Sequence, residues 1–463
     1  MFRFLLPLIL LAAPLTAQVT ITEGPAPGQL YPRDLVTNQA VVPVAGEVSK
    51  PGKSRVHLVV TRDGAAWSMD TVDLHYTGGV APFAFAPVID AGLHDYAFEL
   101  LLEGGGFNQQ VGRVRWVACG DAYLINGQSN AVATDYHNEG LGNSSRSRWI
   151  RSYGSASLSA AAVAADTGWY AADGIDQYSS GSVGAWGLRA ARLLVDRYQV
   201  PVALLNGAVG GTVIEAHQRD DADPENLNTI YGRLLYRARR AGIDLQVRAM
   251  LWHQGESNGA HDPLYYHSKF SDLRDDWLVD FPALEQLFVF QIRKGCGVPD
   301  MDIREVQRQF PDLFADLTAV PTAGIDEHDG CHYYYAGYRE MGDWMAAAMA
   351  AALYGEQLPQ HAAPPNIREA RFTGAAHDEI ELLFRDPHQA LFLDLGIEDR
   401  LKLRDGVAET VVTATASPGR ILLQLSGPTA ATRVAFIGQA GAGPWIKNQR
   451  GVGAFTFEVP ILP

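Results

Sequence analysis

The chain has 463 residues, 47% hydrophobic and 19% charged, a composition that supports a large buried core and excludes a disordered chain. At roughly 100 to 200 residues per domain, this length suggests two to four domains. The 37 basic and 52 acidic residues give a net charge of −15, which repels phosphate backbones and anionic lipid and argues against nucleic acid as a partner.

The chain opens with Arg3, an apolar run from Phe4 to Ala13 and a small residue at Ala17. That is the pattern of a secretory signal peptide over residues 1–17, so a mature product starting near Gln18, secreted or periplasmic, is expected. The run is well short of the ~20 apolar residues that cross a bilayer, and no membrane span is predicted anywhere. Three cysteines, Cys119, Cys296 and Cys331, are too few for a disulfide scaffold and match no zinc spacing.

From residue 18 to 117, short alternating segments such as Val56-His57-Leu58-Val59-Val60 are divided by Gly, Pro and Asp turns, which predicts an N-terminal β-sandwich. After Cys119 the rhythm changes. Strand-like runs at Ala122 to Ile125, Val200 to Leu205, Val247 to Trp252, Leu287 to Ile292 and Thr318 to Ile325 alternate with helical patterns. The helices are expected near Gly184 to Tyr198, Pro224 to Arg240, Pro263 to Val279, Ile303 to Ala315 and Ala336 to Leu353. Such alternation predicts an α/β domain over 118–355, a doubly wound parallel sheet with helices on both faces. A linker at 356–365 leads to alternating segments over 366–463 that predict a second, C-terminal β-sandwich.

In a doubly wound sheet, sites form where loops leave the carboxyl ends of strands, and four polar segments fall there. Asn126-Gly127-Gln128-Ser129-Asn130 follows the first strand: glycine permits a sharp turn, and a helix starting after it would aim backbone N–H groups at an oxyanion. Ser129 is therefore a candidate nucleophile, though serine after a strand is also a common helix cap. Gly207 to Thr212 offers bare backbone N–H groups at the same edge, or simply a tight glycine turn. Trp252-His253-Gln254-Gly255-Glu256-Ser257-Asn258 crowds an amide, a carboxylate and an imidazole at a strand end, with Glu256 expected to pin loops. Finally, Asp329 and His332 stand three apart, so one turn can let the carboxylate orient the imidazole while its other nitrogen faces a serine hydroxyl. The rival reading is a metal site built from His328, Asp329 and His332.

Gly127-Gln128-Ser129-Asn130, Gly210-Gly211-Thr212, the Trp252 to Asn258 segment and Asp329-x-x-His332 together resemble the SGNH hydrolases, and more closely their sialate O-acetylesterase and acetylxylan esterase branch. The resemblance implies a flavodoxin-like central fold with flanking β domains and no cofactor. It also implies a serine esterase acting on O-acetylated carbohydrate: Ser129 as nucleophile, His332 as base and Asp329 as the residue that orients it. By the same resemblance, Gly211 N–H and the Gln254 side chain, with Ser129 N–H, form the oxyanion hole, Gly210 being the alternative. Gln254 stands where the wider superfamily has Asn, and Ala131 where the branch often has Met. The other readings are an acetylxylan or general short-chain esterase and, from a different class, a non-catalytic glycan-binding surface protein.

Cys296 lies just past one strand end and Cys331 lies in the loop of Asp329 and His332. Both loops leave the same sheet edge, so a Cys296 to Cys331 disulfide with Cys119 as a buried thiol is expected in an oxidising compartment.

Overall fold

Apolar side chains on consecutive residues, rather than on alternate ones, mark a strand buried on both faces, and the segment Val247–His253 is such a strand: all seven residues are buried, and all but Arg248 and His253 are apolar. A computed structural model, which describes residues 19–463 apart from 51, 297–300, 358 and 439, sets this strand in a large mixed sheet. The expected signal peptide lies outside the described residues.

The strands of the central sheet are β1 (Phe107–Gly127), β2 (Ile150–Tyr153), β3 (Trp169–Ala171), β4 (Val202–Asn206), β5 (Val247–His253), β6 (Gln286–Gln291) and β7 (Leu317–Pro321). Their spatial order is β3-β2-β4-β1-β5-β6-β7, parallel throughout except for the antiparallel edge pair β2 and β3. Besides a short helix at Ala160–Ala165, the helices are α1 (Ser129–Val132), α2 (Ala185–Tyr198), α3 (Ile230–Ala241), α4 (Pro263–Asp280), α5 (Met301–Leu313) and α6 (Tyr335–Tyr354). Successive side chains of a strand point to opposite faces. Accordingly Tyr123 and Ile125 join a core with α2 and α6, while Ala122 and Leu124 join a second core with α3, α4 and α5.

Strand β1 changes partners along its length. Its first half pairs antiparallel with Tyr96–Gly104, and its second half lies in parallel register between β4 and β5. The change of rhythm near Cys119, where a domain boundary was expected, thus falls inside one continuous strand, and the N-terminal strands share the central sheet. A three-stranded sheet, Val19–Glu23, Val44–Val48 and Ala81–Phe85, packs over this extension around Val48, Leu58, Val60, Phe83 and Leu102. Beneath the junction, buried Asp121 accepts from Arg33 of the N-terminal region and from Arg248 of β5.

Two expected helices have different bounds. The helix expected from Pro224 begins at Ile230, because Thr229 caps it by accepting from Gly232 N–H, and residues 224–229 form turns. Helix α5 runs from Met301 to Leu313 rather than to Ala315, and the strand expected to reach Ile325 ends at Pro321. Beyond α6, a seven-stranded sheet and a two-stranded one enclose a separate core around Ile380, Leu423, Phe436 and Phe457. This C-terminal region grips the central one: Gln291 and Thr456 exchange two hydrogen bonds, and Asp326 accepts from Trp445 Nε1 and Gly443 N–H.

Candidate active site

The turn after β1 is possible only with glycine at its hinge. Gly127 has φ 133°, and a Cβ there would stand 2.1 Å from the His253 carbonyl oxygen. The next residue, Gln128, donates its N–H to that same carbonyl at 2.9 Å, which fixes the turn against the end of β5. Ser129 then opens α1, 9% exposed, on the floor of a cleft of about 480 Å³. Tyr136, Tyr178, Gly210, Gly211, Glu256 and His332 are among the residues lining this cleft.

Asn130 ties its own turn to two segments far away in sequence, one at Glu256 and one from Cys331 to Tyr338. Its amide nitrogen donates to Glu256 Oε1 at 3.0 Å and to the Cys331 carbonyl at 3.1 Å, and its amide oxygen accepts from Tyr338 Oη at 3.0 Å. His253 Nε2 shares the same Glu256 oxygen at 3.0 Å. Burial pushes the Glu256 carboxyl up, but His253 and the Asn130 amide outweigh this and hold it below the usual carboxylate range. Glu256 Oε2 is buried with no hydrogen-bond partner.

Asp329 closes its own turn. Oδ1 accepts from the backbone N–H of Cys331 at 2.7 Å and of His332 at 2.8 Å, and Asp329 N–H donates to the His332 carbonyl at 2.9 Å. Partial burial works against ionisation, yet these donors and the neighbouring histidines keep the carboxyl below its ordinary value. Oδ2 lies 3.6 Å from His137 Nε2, a second imidazole on this carboxylate that no sequence motif marks. Burial lowers the pKa of His332, against the opposing pull of Asp329 and Glu256, which favours the uncharged ring that can accept a proton. Its ring stacks on Tyr136 with centroids 4.2 Å apart, and the Tyr136 hydroxyl donates to the Ser129 carbonyl at 3.0 Å. Tyr136 thereby spaces Ser129 and His332 across the cleft.

Cys296 and Cys331 are disulfide-bonded with Cα atoms 4.5 Å apart, both lining the cleft, and Cys119 is a buried free thiol. The loops they join also touch through Cys296 N–H to the Gly330 carbonyl. His328 turns away, its Nδ1 accepting from Gly330 N–H at 3.1 Å. Among the described residues no group of three His, Cys, Asp or Glu side chains converges on a point that could hold a metal ion.

The residues expected to form an oxyanion hole lie differently from one another. Gly211 lines the cleft with φ 71° and open space on its Cα, while Gly210 N–H is already bound to the Tyr178 hydroxyl at 2.8 Å. Gln254 is fully buried and does not line the cleft. Its amide nitrogen faces Asn258 Oδ1 at 2.5 Å, the Thr212 carbonyl at 3.1 Å and Gln128 Oε1 at 3.3 Å. Its place at a strand end is as expected, but Asn258, one turn later, draws the amide into the loop network.

A family model described as "Carbohydrate esterase, sialic acid-specific acetylesterase" matches residues 120–351. Among solved structures the chain is similar to a carbohydrate acetylesterase from Xanthomonas citri, with 20% identity over 94% of this chain and 97% of that one and a TM-score of 0.64. It is also similar to a protein from Arabidopsis thaliana, with 19% identity over 50% of this chain and 98% of that one and a TM-score of 0.40. A lipase/acylhydrolase from Enterococcus faecalis matches with 10% identity over 51% of this chain and all of that one, at a TM-score of 0.30. The first of these likenesses shows a shared fold along nearly the whole chain. No curated protein matches it.

Proposed function

Because the chain belongs to the family of carbohydrate esterases described as sialic acid-specific acetylesterases, and is thus a carbohydrate acetylesterase, we propose that it cleaves sugar acetates through an acetyl-serine intermediate at Ser129. The observation that carries this reading is that Ser129, Gly211 and His332 line one cleft, with Asp329 closing the turn that bears the base. Ser129 gives its proton to His332 as its oxygen attacks the acetyl carbonyl. The tetrahedral oxyanion is met by the N–H groups of Ser129 and Gly211. Its collapse breaks the ester bond, and the proton on His332 passes to the departing sugar oxygen. Water, deprotonated by His332, then attacks the acetyl-serine and releases acetate and the free serine.

Acetylated sialic acid is the first substrate to test, and acetylated xylan the second. Export is proposed with this activity: the apolar N-terminal stretch and a disulfide beside the base both suit an oxidising compartment outside the cytoplasm. Acetate release from a panel of O-acetylated glycans, with Ser129→Ala alongside, tests the reading. Turnover by the wild-type chain that vanishes in the variant is the expected result. Glycan binding without acetate release would instead favour the non-catalytic reading.

A further inference from the structure

With the Gln254 amide committed to Asn258, Thr212 and Gln128, the oxyanion has backbone donors but lacks the side-chain donor expected of that residue. A different side chain stands at the cleft. Tyr178 projects from the loop at residues 173–183, which is closed at its base by hydrogen bonds from Asp173 N–H to the Gly181 carbonyl and from Val183 N–H to the Asp173 carbonyl. Its backbone is left-handed, with φ 53°, a conformation that costs a bulky residue about 1 to 2 kcal/mol and persists where the surroundings fix it. The ring packs against the core formed by α2 and α6.

The Tyr178 hydroxyl accepts from Gly210 N–H at 2.8 Å, so one lone pair is used, and among the described residues nothing accepts its proton. A Cβ built on Gly210 would lie 3.3 Å from the Tyr178 oxygen and 3.6 Å from Ser129 Cβ, so phenol and nucleophile both border the space beside Gly210 in the same cleft. A hydroxyl that receives a hydrogen bond on its oxygen becomes a stronger donor through its own hydrogen.

We infer that Tyr178 is a catalytic residue, the side-chain donor of the oxyanion hole, taking the place expected of Gln254. Gly210 N–H polarises the phenol, and the phenol O–H donates to the acetyl oxygen as it gains negative charge. No proton is transferred and no bond forms, so the phenol leaves the cycle unchanged. The inference rests on the Ser129 acyl-enzyme reading.

Tyr178→Phe keeps the ring and removes only the donor. Loss of one oxyanion donor lowers kcat by about 100-fold to 1000-fold, and KM stays near its wild-type value because the ground-state carbonyl is bound more weakly than the oxyanion. A boronic acid, which forms a tetrahedral anion on the serine, should lose affinity for the variant by about the same factor as kcat/KM. Tyr178→Phe with kcat within about 2-fold of wild type, or with its whole loss in KM, overturns the inference. So does a variant faster than wild type, because the phenol then merely blocks Gly210 N–H. Ser129→Ala assayed in parallel separates the two readings: activity retained there removes the acyl-enzyme itself, whereas a dead Ser129→Ala beside a fully active Tyr178→Phe removes only the donor. Where Tyr178→Phe melts well below wild type, site-specific difluorotyrosine at 178 replaces it. Its shape is nearly that of tyrosine, but its more acidic phenol must cost activity at alkaline pH, and an unchanged pH profile there is equally contrary.

Discussion

Asn130→Ala removes a side chain on which three segments of the site converge. Asn130 is fully buried, and its amide serves Glu256, the Cys331 carbonyl and the Tyr338 hydroxyl. Alanine leaves Tyr338 Oη and Cys331 O without this partner and Glu256 with His253 alone. A buried polar group left unsatisfied costs about 1 to 3 kcal/mol, so the two that lose their partner outright, with the weakened hold on the buried Glu256 carboxylate added, cost about 3 to 5 kcal/mol. At about 2 to 4 °C per kcal/mol for a domain of this size, the melting midpoint should fall by roughly 10 °C. The same substitution releases the base loop from the helix of the nucleophile, and a shift of about 1 Å between reacting groups costs on the order of 100-fold in rate. Asn130→Asp should be at least as damaging, because it sets a second carboxylate against Glu256. The assay pairs thermal melting by circular dichroism with acetate release. A variant that melts within about 2 °C of wild type with unchanged kcat would refute the argument that Asn130 holds the site together.

Burial lowers the His332 pKa, and the base acts neutral, so kcat/KM should rise with pH through an apparent pKa below the ordinary histidine value of about 6.5 and reach its plateau by neutrality. An apparent pKa above that value would contradict the assignment of the base. Reducing the Cys296 to Cys331 disulfide, or replacing both residues by Ser, should destabilise the chain by about 2 to 4 kcal/mol in denaturant titrations and lower kcat, since both cysteines line the cleft. Thiol counting under denaturing, non-reducing conditions should find Cys119 alone, and three thiols would remove the bridge. Gly127→Ala should abolish turnover, because its methyl group would meet the His253 carbonyl in a backbone conformation that alanine rarely adopts. Turnover close to wild type in that variant would show that the turn is looser than described.

The doubly buried strands were the most legible part of the fold, since the runs around Leu124, Leu251 and Phe288 are apolar on every residue and could sit nowhere but inside a parallel sheet. Strands β2 and β3 were not, because Ile150–Tyr153 and Trp169–Ala171 are short, stand among Ser, Gly and Ala, and are specified by pairing at the sheet edge. The boundary expected near Cys119 falls inside β1 because polar residues are frequent up to Arg115 and nearly absent from Trp116 to Ile125, which reports a change of partners along one strand. In the site, Ser129, Asp329 and His332 were marked out by local spacing, and the structure sets Ser129 and His332 on one cleft. Tyr136, His137 and Tyr178 could not, because each is a single residue in a loop and gains its place only from tertiary contacts with His332, Asp329 and Gly210. For Gln254 the spacing fixed a position at a strand end but not the direction of the amide, which Asn258 decides.

The central claim is that the acetyl group passes through Ser129. Brief mixing of the enzyme with an activated acetyl ester, acid quenching and peptide mass spectrometry tests it most directly. Acetylation of the Ser129 peptide that appears within the first turnovers, disappears once the ester is consumed and is absent from Ser129→Ala is the predicted result. Full turnover by Ser129→Ala, or an acetyl group found stoichiometrically on another side chain while the Ser129 peptide stays unmodified, would contradict it.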